Sequence, residues 1–375
     1  MPEDPSIHLV QDPAGLAAVI ADLRDTPRIG LDTEFHAERR HKPELMLVQI
    51  NDLANKTWLI DPLAVDVSPL GSLLASKSVI VHSGSQDLSI LFRETGEVPQ
   101  EVFDVQLAAG MIGLGHPLRL SDLVSTVLQQ PMDKSETLSD WSKRPITPGQ
   151  LAYAARDAEV LGTLAEAIQS DLDELGRDHW CTEESNAIIS RAKRPDETQH
   201  TWVEWDITPR LDAGVQRALG CLFEWRNQKG RDKNQPANFM LSDGLALDIA
   251  RRQPTSLPEL AANRRIPQGL IRRLGPEIIA VIRHLDEHDI ALPLVPTIEE
   301  QRRSKALRLW AEAWGLAHRL APGLLLSQTL AQAVAREGVD ALKGWRAEAA
   351  AEPLQAFLDG KSKVGMGIAG PVIVD

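Results

Sequence analysis

Three separated carboxylate-bearing stretches of this sequence could do chemistry together. In Ile29-Gly30-Leu31-Asp32-Thr33-Glu34-Phe35, a strand would place Asp32 and Glu34 on one face and Leu31, Thr33 and Phe35 on the other, because side chains alternate along a strand. Two aligned acids opposite an apolar face are costly unless a cation or water lies on the acidic side; a solvated edge face is the alternative reading. Asp87 follows Val79-Ile80-Val81-His82-Ser83-Gly84-Ser85-Gln86, a strand ending in a small-residue turn. It falls at the opening of a helix, where an aspartate also complements the helix dipole. Tyr153, the single tyrosine of the chain, stands four residues before Asp157, so the two share one helical face. Were Asp32, Glu34, Asp87 and Asp157 to converge, they could not all ionise uncompensated. The natural compensation for hard oxygen ligands is one or two Mg²⁺ or Mn²⁺ ions. Such a pair activates a water on one side of a phosphodiester and stabilises the leaving oxygen on the other, and Tyr153 would hold or deprotonate that water.

Positioning these groups requires a sheet and a long helix. Ile29–Phe35, Leu45–Ile50, Trp58–Ile60 and Ser78–His82 are short apolar runs bounded by polar or turn residues and are expected as strands. Helices are expected at Pro13–Leu23, Ser85–Thr95, Val105–Met111, Leu120–Leu128 and Pro148–Leu175. The last has the clearest start, since Thr147 and Gln150 form a capping-box pattern with Pro148 at the first helical position. This is a mixed sheet with flanking helices. Ser190–Thr208 is polar, lacks an apolar stripe and is expected as a linker or loosely packed strap. Beyond Leu211 the pattern is helical throughout. There a weak repeat at an offset of 85 residues matches Trp225 with Trp310, Leu241-Ser242 with Leu326-Ser327, and Ala250-Arg251 with Ala335-Arg336. The tail KVGMGIAGPVIVD is expected to be loose.

Of the 375 residues, 43% are apolar and 25% charged, enough for more than one core. The two cysteines cannot make a disulfide framework or a zinc-finger ligand set, which points to a reducing compartment. The start lacks a signal-peptide core, and no apolar run is long enough for a membrane helix. The net charge of −13 is unevenly spread: residues 1–200 carry 17 Lys+Arg against 32 Asp+Glu, and residues 201–375 carry 23 against 21. That excludes a uniformly basic binder, yet not a chain whose C-terminal half handles phosphates while its N-terminal half gathers carboxylates.

The ordered set Asp32-x-Glu34, Asp87 after His82-Ser83-Gly84-Ser85, and Tyr153-x-x-x-Asp157 resembles the exonuclease motifs of the tyrosine-bearing DEDD superfamily, most of all the ribonuclease D family. Leu47-Val48-Gln49-Ile50, Leu59-Ile60-Asp61-Pro62-Leu63, Asp133-Lys134-Ser135-Glu136 and Asp140-Trp141-Ser142-Lys143-Arg144-Pro145 look like that family as well, and the helical repeat looks like two helicase-and-RNase-D C-terminal (HRDC) domains. The resemblance implies an α/β ribonuclease H-like exonuclease domain over residues 1–195, a linker at 196–210, HRDC domains at 211–291 and 298–362, and a flexible tail at 363–375. It implies two divalent metals and 3′-to-5′ release of 5′-mononucleotides from RNA, typically in transfer-RNA 3′-end maturation; a monomer is the default expectation, and the cytoplasm is expected from the cysteine count and the start of the chain. Carried over, Asp32, Glu34 and Asp157 would be direct metal ligands. Asp87 would support the second metal, Tyr153 would position the nucleophile, and Phe35 would abut the terminal base or sugar. RNA phosphates would meet Lys143 and Arg144 near the site, with Arg226, Lys229, Arg264 and Arg265 in the helical half. The alternatives are an exonuclease on single-stranded DNA, since the same acids would serve, and a non-catalytic RNA-binding scaffold.

Overall fold

The structure is a computed structural model, and it describes residues 6–374 apart from 37–39, 55, 133–135, 137–138, 195–200, 206, 289, 291 and 293–295. Asp133-Lys134-Ser135 and the head of the expected linker therefore lie outside the described residues.

In chain order the elements are β1 (Ile7–Val10), α1 (Pro13–Asp22), β2 (Arg28–His36), β3 (Glu44–Asn51), β4 (Thr57–Ile60), α2 (Leu70–Leu74), β5 (Ser78–Val81), α3 (Ser85–Thr95), β6 (Glu101–Asp104), α4 (Val105–Met111), α5 (Leu120–Leu128), α6 (Pro148–Leu175) and α7 (Asp178–Ala192). The helical half continues with α8 (Ala213–Lys233), α9 (Ala237–Met240), α10 (Asp243–Arg252), α11 (Leu257–Ala261) and α12 (Gln268–Arg283). Then come α13 (Ile298–His318), α14 (Pro322–Leu325), α15 (Gln328–Glu337), α16 (Gly344–Leu358), β7 (Lys363–Gly367) and β8 (Gly370–Val374). The first six strands form one sheet in the order β1-β4-β3-β2-β5-β6, with β3 antiparallel to β4 and β5 parallel to both β2 and β6. The mixed α/β sheet with flanking helices expected from the sequence is thus present. Its strands β3 and β5 are largely apolar because helices cover both faces of the sheet, while β2 carries its acids at its C-terminal half.

By its contacts the chain divides into two compact units. One holds residues 1–36, 45–195 and 298–375; the other holds 37–44 and 196–297. In the second unit α8, α10 and α12 bury a core around Leu219, Leu222, Phe223, Ile249 and Ile278. The expected loose strap is anchored there: Trp202 is 1% exposed, and the Thr208 hydroxyl donates to its carbonyl. In the first unit α13 to α16 share one apolar core with α4 to α7, and Trp345 stacks on Trp180 at 5.1 Å. Residues 298–358 therefore pack as a layer of the sheet-bearing unit. A periodicity argument could not foresee this, because a helix's apolar face does not name its partner. The 85-residue repeat is structural: α8, α9 and α10 begin and end 85 residues before α13, α14 and α15.

The tail corrects its expectation. Lys363–Gly367 and Gly370–Val374 pair as an antiparallel hairpin, β8 lies against α13, and Gly370 turns the chain at a φ of 134° that favours glycine. Among the described residues no helix is long and apolar enough to cross a membrane.

Candidate active site

β2 and α6 build the centre of the site. The capping box exists as the sequence suggested: Gln150 N–H donates to Thr147 Oγ1 at 3.2 Å, and Thr147 N–H donates to Gln150 Oε1 at 3.1 Å. This fixes the start of α6 and hence the angular position of Tyr153 and Asp157. The helix then crosses β2 closely at Gly30, where an added Cβ would stand 2.8 Å from the Ala158 carbonyl oxygen. Only glycine allows that approach, which brings Asp157 beside Asp32 and Glu34. One oxygen from each of Asp32, Glu34 and Asp157 lies within 4.8 Å of the others. The Tyr153 hydroxyl donates to the Asp157 carboxylate, and the ring rests near buried Trp141 with centroids 6.2 Å apart. Asp87, in the first turn of α3, accepts a hydrogen bond from the Thr33 hydroxyl and lies close enough to raise the pKa of Asp32. The structure thus gathers all five residues singled out by motif. It adds Gly30 and Thr33, whose roles depend on contacts with Ala158 and Asp87, far away in the sequence.

The electrostatics show what kind of group the site suits. Burial and the charges of Asp87, Asp157 and Glu34 push Asp32 well above the usual carboxylate range. Burial, with Asp157 and Asp87, pushes Glu34 up to about 8. Burial pushes Asp157 up to about 7 and Asp87 to about 6, each tempered by a hydroxyl donor, Tyr153 and Thr33 respectively. Four acids repelling one another with oxygen donors alone make a set that suits a hard divalent cation. A pH effect on stability follows. In the unfolded chain these carboxyls lose their protons near pH 4. In the folded, metal-free chain Asp87, Asp157 and Glu34 keep theirs until about 6, 7 and 8. Between pH 4 and 8 the unfolded state binds fewer protons, so stability falls as pH rises. In chelator the melting temperature of wild type is expected to fall more steeply from pH 5 to 8 than that of Asp32→Asn/Glu34→Gln, and added Mn²⁺ is expected to raise it more at pH 8 than at pH 5. Parallel melting curves for the two proteins would show that the cluster ionises normally.

Two of the expected RNA contacts are corrected by their surroundings. Arg144 donates through Nε and Nη2 to both oxygens of Asp61, each at 2.6 Å. Its other donors reach the carbonyls of Met46, Trp141 and Lys143 at 2.8–2.9 Å. All five guanidinium N–H groups are used, leaving none for a phosphate. Arg226 is 5% exposed, lies 3.5 Å over the Phe223 ring, and donates to the Leu241 carbonyl and to Asp243. It is a buried brace of the second unit. Lys229 is paired with Glu277 at 2.8 Å, and Arg265 with Asp248 at 2.9 Å although its side chain is 72% exposed. Arg264 is exposed. Lys143 is 77% exposed beside Asp140, and Phe35 is half-buried at the end of the acidic strand.

Comparisons with known proteins agree with this geometry. Residues 7–173 match the 3′-5′ exonuclease family, and residues 216–282 match the HRDC domain. Ribonuclease D of Pseudomonas paraeruginosa is 32% identical over 371 residues, covering 95% of this chain and 98% of that one. Ribonuclease D of Desulfotalea psychrophila is 36% identical over 306 residues, covering 80% and 79%. The crystal structure of Escherichia coli RNase D, described as an exoribonuclease involved in structured RNA processing, superposes with a TM-score of 0.80 at 26% identity, covering 94% of this chain and 99% of that one. An exonuclease fold of this kind implies divalent metal ions, and the acidic cluster is where this chain can hold them. With the exonuclease and HRDC domains in order along a nearly full-length match, the chain belongs to the ribonuclease D family and is a 3′-5′ exoribonuclease.

Proposed function

We propose that this chain shortens structured RNAs, transfer-RNA precursors among them, from the 3′ end by releasing 5′-mononucleotides, with two Mg²⁺ or Mn²⁺ ions held by Asp32, Glu34, Asp157 and Asp87. The observation that carries the proposal is the convergence of Asp32, Glu34 and Asp157 oxygens within 4.8 Å on two elements that the sequence separates by more than a hundred residues. Bound divalent ions supply an acidified water as nucleophile and charge compensation at the departing oxygen. The protein does the rest. β2 and α6 hold the carboxylates in a rigid array, so no reorganisation is needed as charge develops. Tyr153, anchored on Asp157, presents its hydroxyl where the attacking water must be oriented or relieved of its proton. The water oxygen bonds to phosphorus, the bond to the 3′ oxygen of the preceding nucleotide breaks, and that oxygen leaves protonated. Phe35 offers an apolar surface to the terminal nucleotide. Lys143 and Arg264 are exposed cations for the phosphate backbone.

The test is denaturing-gel analysis of a 5′-labelled RNA and a matched single-stranded DNA, with Mg²⁺, Mn²⁺ or chelator. A metal-dependent ladder shortening from the 3′ end, faster on RNA, is expected; faster shortening of DNA would overturn the RNA assignment. Tyr153→Phe is expected to lower kcat by about 10²-fold with KM nearly unchanged, the loss typical of a positioned proton-transfer group. An unaltered kcat would remove Tyr153 from the chemistry.

A further inference from the structure

Asp87 differs from the other three acids in having no place on β2 or α6. It is carried by α3, whose start is locally awkward. Ser83 takes a left-handed φ of 58°, and at Gly84 an added Cβ would stand 2.5 Å from Val81 Cγ2. Gly84 then occupies the N-cap of α3, where it offers no side-chain acceptor. A sharp, strained turn and an uncapped helix start do not hold a carboxylate in register by themselves.

The turn before α3 is held instead from another strand. Asp104 ends β6 and is 2% exposed. Its Oδ1 accepts the Ser83 N–H at 3.0 Å, and its Oδ2 accepts the Gly84 N–H at 3.0 Å. The same carboxylate caps α4, taking the Gln106 N–H at 2.9 Å. One buried carboxylate therefore ties together the turn into α3 and the start of α4, accepting backbone N–H groups from both. From the opposite side, Thr33, 6% exposed and set between Asp32 and Glu34, donates its hydroxyl to Asp87 Oδ1.

We infer that Thr33 and Asp104 are positioning residues that brace Asp87 from two sides, Thr33 at the carboxylate and Asp104 through the Ser83–Gly84 turn, and so set the affinity of the divalent-ion site Asp87 serves. The inference rests on the proposed metal-bearing site. Asp104→Asn would set an amide N–H against a backbone N–H at one of the two turn contacts, releasing the turn while keeping the side chain's shape. Thr33→Val deletes only the hydroxyl and is nearly isosteric.

The experiment is Mn²⁺ titration of the full chain followed by electron paramagnetic resonance of free Mn²⁺, with kcat measured against Mn²⁺ concentration in parallel and folding checked by circular dichroism. Wild type is expected to bind two ions. In each variant one dissociation constant is expected to rise about 10-fold or more with the other unchanged, the scale seen when a group that orients a metal ligand is lost. The Mn²⁺ concentration for half-maximal activity should rise in step, with kcat at saturating Mn²⁺ largely recovered. A merely structural role would lower the melting temperature and leave both constants alone, and that result in folded variants would overturn the brace. Should Asp104→Asn fail to fold, Thr33→Val decides alone. Wild type that neither binds Mn²⁺ nor cleaves RNA would sink the metal site itself, and the brace with it; a competent wild type with indifferent variants would sink only the brace.

Discussion

Asp32→Ala is expected to cut turnover of 5′-labelled RNA by on the order of 10³-fold or more while making the metal-free protein harder to melt at pH 8. The two effects have one cause. Asp32 is the acid on which the other three converge, raised by burial and then by Asp87, Asp157 and Glu34. Removing it deletes a shared oxygen ligand, and losing about 4 kcal/mol of charge stabilisation in the transition state corresponds to that factor in rate. Removing it also relieves like-charge repulsion in a site whose ionisation folding disfavours, so in chelator the melting temperature should rise rather than fall. Turnover measured with Mn²⁺ and melting measured in chelator, on the same preparation, check both. An active Asp32→Ala would remove the acidic cluster from the chemistry. An inactive variant that melts lower would place Asp32 among residues that hold the fold, not among those strained for function.

How much of this the sequence carried depends on the range of the interaction. The start of α6 was legible because a capping box is local, written in Thr147, Pro148 and Gln150. The pairing of Asp32 with Glu34 was legible because strand alternation is local too, and the 85-residue repeat because helix lengths follow the chain. Ser78–Val81 and Ser85–Thr95 came out as a strand and a helix, since an apolar run and an amphipathic face announce themselves. Strand β6 and helix α7 were passed over, the one only four residues long and the other without a side-chain cap. Thr33 looked like a residue of the apolar face, and only the structure shows its hydroxyl turned to use by Asp87, 54 positions away. The basic residues were least legible. A lysine or arginine in a sequence looks the same whether it waits for a phosphate, as exposed Lys143 can, or is itself buried and paired within its own unit, as Arg226 is. Packing of residues 298–358 onto α4 to α7 was invisible for the same reason: Trp310 and Trp345 call for burial without saying against what.

Arg144 tests that last distinction most sharply, and Arg144→Ala is expected to destabilise the protein by about 3–5 kcal/mol, with little effect on KM for RNA at a temperature where it stays folded. Asp61 is 1% exposed, and its carboxylate receives two donors from Arg144, one from Gln11 and the Leu63 backbone N–H. Burial alone would raise its pKa, but those hydrogen bonds outweigh it and hold Asp61 below its ordinary value. With the guanidinium gone, a buried charge loses its partner, and the carbonyls of Met46, Trp141 and Lys143 lose their donor at the same stroke. Because the folded-state pKa of Asp61 is depressed, the stability this pair contributes is present above pH 4 and is lost as pH falls through the folded value, so the difference between wild type and variant should shrink in acid. Removing both charges at once is the control. Arg144→Met with Asp61→Asn should recover part of the loss, since most of the cost of the single change is the orphaned carboxylate and not the missing pair. Denaturant unfolding of the three proteins at pH 7 and at pH values falling below 4 measures these differences, and KM on a labelled RNA separates the two roles. A variant that folds as well as wild type and binds RNA ten times more weakly would return Arg144 to the phosphate backbone.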